Sequence, residues 1–213
     1  LSKNYNLQIF EAIAYYSHPQ TINLMDLINS NTIGKIEHIE CSFGFKTRVK
    51  PNSRLFDKKL GGGVILDLGC YPISFLMLFC NDYNLFKFTN KKIEICETDV
   101  ENYAEADLIL NKTIKAKIKI SFKSHLHNKC IIYGSKGKIV LADPWLPQKK
   151  SYIEIETSDH YYKKFVKSNL SVFANQITNI SNLFLKKDES LNNIFDIDKS
   201  ITCMKLLEMW KKN

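Results

Sequence analysis

From residue 86 to residue 157 the chain is a succession of short runs in which apolar and polar residues alternate, and this period of two restricts its folding more than any other feature. The runs fall near 86–96, 103–111, 113–124, 128–134, 137–142 and 151–157 and are rich in Ile, Val, Phe and Thr. Turn signals such as Asn111-Lys112 and Gly134-Ser135-Lys136-Gly137 separate them. A period of two matches the pleat of a strand, so each run can bury one face beside its neighbour in an antiparallel meander.

The flanks read differently. Leu7–Ala14 is expected as a strand following a helix tail at Leu1–Asn4. Pro19 opens a helix to about Asn29, with Leu24, Leu27 and Ile28 on one face, and Asn31 and Gly34 stop it. Lys35–Lys46 is expected as a long strand, and Val64–Phe79, after three glycines, as the best-defined helix. Two last helices are expected near 168–186 and 196–212, the second carrying Ile197, Ile201, Met204, Leu207 and Trp210 at helical spacing. Grouped strands with flanking helices give an α+β class: one open, mainly antiparallel sheet with helices on one face.

At 213 residues, 45% hydrophobic and 24% charged, the chain can bury a sizeable core. The net charge of +8 suggests nucleic acid, but of 30 basic residues only Arg48 and Arg54 are arginine, the side chain best suited to phosphates and guanine. No nucleic-acid partner is expected. Six cysteines without a C-x-x-C pair suggest neither a zinc ribbon nor a disulfide framework, and fit a reducing cytoplasm. The longest apolar run, Ile73–Cys80, is too short to span a bilayer. Leu1–Asn6 lacks a signal-peptide layout, and the start is expected to be a cut into a longer protein.

The chemistry concentrates in residues 60–73, Leu-Gly-Gly-Gly-Val-Ile-Leu-Asp-Leu-Gly-Cys-Tyr-Pro-Ile. On a continuous helix Asp67 and Tyr71 would stack on one face as a carboxylate–phenol pair. A phenol near pKa 10 needs a cation to act as a base at neutral pH, and Asp67 alone raises that value. The plainer reading is a helix-capping carboxylate and a core tyrosine. Gly61–Gly63 form a flexible helix start or offer N–H groups to a ligand. His18 suits a helix start, Arg54 can pair with Asp57 or grip substrate, and His125 and His127 lack a third metal ligand, so no metal is expected. Trp145 and Trp210 read as core or interface.

The 60–73 segment resembles the G-G-G-x-x-x-D-x-G-x-Y/H element of the Gfo/Idh/MocA oxidoreductases, the family of glucose-fructose oxidoreductase and dihydrodiol dehydrogenase. Residues 11–20, Glu-Ala-Ile-Ala-Tyr-Tyr-Ser-His-Pro-Gln, resemble that family's E-A-x-x-Y-R-x-H-P-Q junction, and Ile33-Gly34-Lys35-Ile36 its I-G-x-I. Ala106–Ser121 resembles its paired strands and Tyr133–Ile139 its G-x-x-G-x-I turn. The resemblance implies an NAD- or NADP-dependent oxidoreductase acting on a hydroxyl of a sugar, sugar derivative or small diol. Tyr71 would move the hydroxyl proton and Asp67 would orient substrate and tyrosine. Tyr15, Tyr16, His18 and Arg54 would line the substrate, and Gly62 and Gly63 face the cofactor. It also implies that residues 1–14 end a nucleotide-binding domain, that 15–213 form the substrate-binding and oligomerisation domain, and that the open sheet face joins a homodimer or homotetramer. The cation that lowers the tyrosine pKa in that family is a lysine of an E-K-P motif ahead of the position of Leu1, and no G-x-G-x-x-G occurs here. The chain alone is therefore expected to be inactive. Tyr16 stands where the family has arginine. The alternative is an assembly module or remnant without catalysis.

Overall fold

The computed structural model describes residues 2–5, 7–80, 82–185 and 193–212. Eight strands form one sheet: β1 (Ile36–Gly44), β2 (Phe86–Ile95), β3 (Glu101–Leu110), β4 (Ile114–Ser121), β5 (Lys129–Gly134), β6 (Gly137–Ala142), β7 (Lys150–Thr157) and β8 (Tyr161–Lys167), ordered β2-β3-β4-β1-β5-β6-β7-β8. Every neighbouring pair is antiparallel except β1 with β4. The helices are α1 (Ser2–Tyr5), α2 (Pro19–Asn29), α3 (Val64–Asp67), α4 (Cys70–Met77), α5 (Val172–Phe184) and α6 (Ile197–Lys211). The α+β, mainly antiparallel class is the observed one.

Alternation decides which face the helices cover. Ile39, Cys41 and Phe43 of β1, Ala116, Ile118 and Ile120 of β4, Ile132 of β5, Ile139 of β6 and Ile153 and Ile155 of β7 are all buried on the helix side. Trp145, Trp210, Phe56 and Phe75 complete that core. The opposite face mixes charged with apolar side chains. Cross-strand pairs stud it: Lys119 with Glu105 at 3.6 Å, Lys138 with Glu156 at 2.8 Å and Lys163 with Glu154 at 2.9 Å.

Several expectations are corrected. Leu7–Ala14 is not a strand: Phe10 makes one isolated bridge to Asp196, and a 3-10 turn follows at Ala14–Ser17. The edge strand β8 was not anticipated, because its residues Tyr-Tyr-Lys-Lys-Phe-Val-Lys are mostly exposed, with Val166 alone buried, and show no clean alternation. His125 and His127 lie in the loop between β4 and β5, not on a strand. Residue 186, the expected end of the penultimate helix, and Leu1 lie outside the described residues.

The helix expected over 64–79 is broken, and the segments 58–67 and 70–77 meet at a bend of 50°. Pro72 has no N–H to give to the Leu68 carbonyl, which ends the ladder there. Gly69 at the break carries no side chain because a Cβ would lie 2.4 Å from the Ile65 carbonyl oxygen and 3.1 Å from the Trp210 ring. The break lets α6 pack closely across α3 and α4.

Candidate active site

Tyr71 lies in the first turn of α4, and its ring has three aromatic neighbours. Phe43, the last inward residue of β1, meets it edge-on at 5.1 Å between centroids. Trp145 stands at 6.1 Å and Tyr15 stacks at 6.5 Å. Trp145 is itself fixed by donating from Nε1 to the Ser42 carbonyl at 3.1 Å. These contacts hold the ring, yet the Tyr71 hydroxyl makes no hydrogen bond among the described residues.

The neighbouring tyrosines are placed otherwise. The Tyr15 hydroxyl lies 2.7 Å from Ser74 Oγ and donates to the Tyr71 carbonyl at 3.3 Å. The Tyr16 hydroxyl donates to the Ser74 carbonyl at 2.6 Å. Both rings are buried and both phenols are pushed well above their ordinary value, burial being the largest cause. They brace α4 from the Ala14–Ser17 turn. Ser74 is the shared anchor that sequence reasoning missed, although its position three residues beyond Tyr71 puts it one turn away on the same side.

Asp67, at the end of α3, accepts a hydrogen bond from Arg54 Nη1. Arg54 therefore pairs with Asp67 and not with Asp57, whose carboxylate accepts from the Lys59 N–H instead. Because the helix breaks between them, Asp67 and Tyr71 are not stacked on one helix, but they remain electrostatically coupled. Burial pushes the Tyr71 phenol up to about 12, Cys70 and Asp67 add to that, and Arg54 works against it. Cys70 is likewise pushed up to about 12 by burial, so its thiol stays protonated at neutral pH.

Gly62 and Gly63 are buried and their N–H groups are already used, donating to the Asp57 and Leu55 carbonyls at 2.9 Å. Neither N–H group is left to donate to a ligand. Gly63 instead has φ +118° and lies against buried Glu101, whose Oε1 is 3.0 Å from Lys211 Nζ. His18 is buried as the cap of α2: its Nδ1 accepts from the Gln20 N–H at 3.1 Å. Its Nε2 makes no hydrogen bond of ordinary geometry, although the Gln148 carbonyl is near enough to favour a proton there. A groove of about 590 Å³ runs between α2 and α6 past Tyr16, Asp26 and Asp198 and includes neither Asp67 nor Tyr71.

Comparison with known proteins shows the family of the chain and its fold. The chain is 28% identical over 147 residues to a trans-1,2-dihydrobenzene-1,2-diol dehydrogenase of Xenopus tropicalis, covering 68% of this chain and 44% of that protein. It is 25% identical over 162 residues to a dTDP-3,4-didehydro-2,6-dideoxy-alpha-D-glucose 3-reductase of Actinomadura kijaniata, covering 75% and 48%. The chain thus spans about half the length of the curated relatives it matches. A 3-ketoreductase structure from Actinomadura kijaniata, in complex with NADP and TDP-benzene, superposes with TM-score 0.83 at 20% identity over 97% of this chain and 62% of that one. An aldose-aldose oxidoreductase from Caulobacter crescentus, complexed with glycerol, gives 0.84 at 15% identity over 98% and 62%. The family model for the GFO/IDH/MocA C-terminal domain matches residues 22–140, more than half of the chain, and the protein belongs to that family.

Proposed function

We propose that the chain is the substrate-binding and proton-transferring part of an NAD(P)-dependent oxidoreductase that acts on a hydroxyl or carbonyl of a sugar, a sugar derivative or a small diol. The observation that carries this reading is the Tyr71 phenol, the one of the three clustered tyrosines Tyr15, Tyr16 and Tyr71 whose hydroxyl is not already bonded within the described protein. The names of the relatives, a diol dehydrogenase and a nucleotide-sugar reductase, support the substrate class.

The nicotinamide cofactor would be held mainly by a domain other than this one, since Gly62 and Gly63 have no free donors, and when bound it supplies or accepts the hydride. Tyr71 holds the proton. A phenol with a pKa of about 12 is protonated at neutral pH and suited to donate to a carbonyl oxygen as negative charge develops there. Removing a proton from a substrate hydroxyl requires that value to fall, and Arg54 is the cation that pulls it down. Asp67 holds Arg54 in place, and Arg54, its side chain 74% exposed, can reach a substrate hydroxyl as well.

Assembly through the open sheet face belongs to the same proposal. Its β5–β8 half carries Ile131, Tyr133, Val140, Tyr152 and the 79%-exposed Phe165 between the charged pairs, and sedimentation of wild type against Phe165→Glu tests it. A reducing cytoplasm is the proposed compartment, where its six free cysteines would remain thiols.

The decisive experiment is Tyr71→Phe in the protein together with its nucleotide-binding domain. Loss of a general acid lowers kcat by about 100-fold or more, while thermal stability should barely change because no internal bond is lost. Turnover near that of the wild type would remove the assignment.

A further inference from the structure

Three polar groups close a buried triangle at the Tyr71 backbone. Ser74 Oγ donates to the Tyr71 carbonyl at 3.0 Å, the Tyr15 hydroxyl lies 2.7 Å from Ser74 Oγ, and that same hydroxyl is 3.3 Å from the Tyr71 carbonyl. Ser74 has one proton and gives it to the carbonyl, so its oxygen accepts the proton of Tyr15. Both side chains are fully buried. Alanine and phenylalanine would serve a plain core without taking two hydroxyls out of water, a transfer that costs free energy unless each is bonded. Here both are bonded, to each other and to one residue.

That residue has an incomplete helical ladder of its own. Tyr71 stands just past the 50° bend, in the first turn of α4, and its N–H donates to the Leu68 carbonyl at 3.2 Å, three residues back. The triangle supplies what the ladder lacks. It fixes the Tyr71 carbonyl directly. It also fixes the Tyr15 ring, which stacks on the Tyr71 ring at 6.5 Å and 29°, and the Tyr15 carbonyl accepts from Thr21 Oγ1 at 2.7 Å. The same two hydroxyls thus hold Tyr71 at its backbone and, through the stacked ring, at its side chain.

We propose that Ser74 and Tyr15 are positioning residues for Tyr71: their paired hydroxyls set where its phenol meets the substrate oxygen, and neither touches substrate. The proposal rests on the oxidoreductase reading above and adds which buried groups aim its proton donor. A misplacement of about 1 Å can cost about 100-fold in rate. Loss of either hydroxyl therefore acts on kcat and leaves KM nearly unchanged.

Ser74→Ala and Tyr15→Phe, made in the protein together with its nucleotide-binding domain, are the test. Each should lower kcat by about tenfold, and the double variant should be no worse than the poorer single one, since both break one triangle. In the Tyr71→Phe background neither should lower the residual turnover further, because the group they aim is gone. An unchanged kcat in both single variants overturns the proposal. So does a fall of the same factor with or without the Tyr71 hydroxyl, which is the mark of general damage to the core. If Ser74→Ala does not fold, Tyr15→Phe, which keeps the ring, decides alone. If Tyr71→Phe turns over as the wild type does, the functional reading fails, and positioning is then read by nuclear Overhauser contacts between the rings at positions 15 and 71. These should weaken in both variants, and unchanged contacts overturn the positioning role.

Discussion

Arg54 donates to the carboxylate of Asp67 from a side chain that is 74% exposed to one that is 19% exposed. This pair sits beside Tyr71 with opposite effects on it: Asp67 raises the phenol pKa and Arg54 lowers it. Asp67→Asn should therefore bring Tyr71 down from about 12, and Arg54→Gln should move it further up. Tyrosine Cζ chemical shifts followed against pH, with Tyr71→Phe to assign the resonance, read both displacements. Shifts of the same sign in the two variants would refute the arrangement. As the Arg54 side chain is largely exposed, Arg54→Gln should cost less than about 1 kcal/mol of stability.

The three tyrosines give a graded prediction. Tyr16→Phe removes the 2.6 Å bond to a buried carbonyl and should cost about 1–3 kcal/mol. Tyr15→Phe should cost less, since Ser74 Oγ still donates to the Tyr71 carbonyl at 3.0 Å. Tyr71→Phe should lie within about 0.5 kcal/mol of wild type. Urea unfolding of the three variants checks the order, and a Tyr71→Phe penalty equal to that of Tyr16→Phe would mean that its hydroxyl is a structural one.

What was legible in the sequence follows from where a signal is local. The Asn111-Lys112 turn could be read because its left-handed backbone, φ 48° and 66°, suits the tight hairpin between β3 and β4. The Gly134–Gly137 turn could be read for a similar reason: a Cβ on either glycine would lie 2.2 Å from a backbone oxygen. The break after Asp67 was hidden, because apolar spacing continues straight through it and masks the local signal of Pro72, while the close packing of Trp210 on Gly69 comes from more than a hundred residues away. The pairing of Arg54 was equally non-local: Asp57 is nearer in sequence, but its carboxylate is occupied by a turn N–H. Tyr15 and Tyr16 were read through a resemblance, which carries no information on whether their hydroxyls are already bonded.

Gly63 should be far less replaceable than Gly61. An alanine Cβ at Gly63 would sit 2.0 Å from Glu101 Oε2 at φ +118°, whereas at Gly61, φ +75°, the nearest atom is 3.9 Å away. Gly61→Ala then pays the left-handed backbone strain alone, about 1–2 kcal/mol. Gly63→Ala adds displacement of a buried carboxylate from Lys211 and should exceed about 3 kcal/mol. Equal losses in chemical denaturation would show that Glu101 moves aside freely.

His18 makes stability depend on pH in a defined direction. Burial lowers its pKa below the ordinary imidazole value of 6.5, and its Nδ1 already accepts the Gln20 N–H, so a proton there would break the cap of α2. Below pH 6.5 the unfolded chain binds this proton more readily than the folded one, so stability is full above that value and falls as the pH drops toward the lowered folded value. The slope contributed by one site is at most about 1.4 kcal/mol per pH unit. Lysines hold the Glu94 and Asp99 carboxyls below their ordinary values, which keeps these two groups out of this window. His18→Asn keeps a capping oxygen without a titrating group. It should lower stability at every pH through lost packing and flatten the dependence between pH 6.5 and 5, read from urea midpoints across that range. An unaltered slope in the variant would place the proton uptake on another residue.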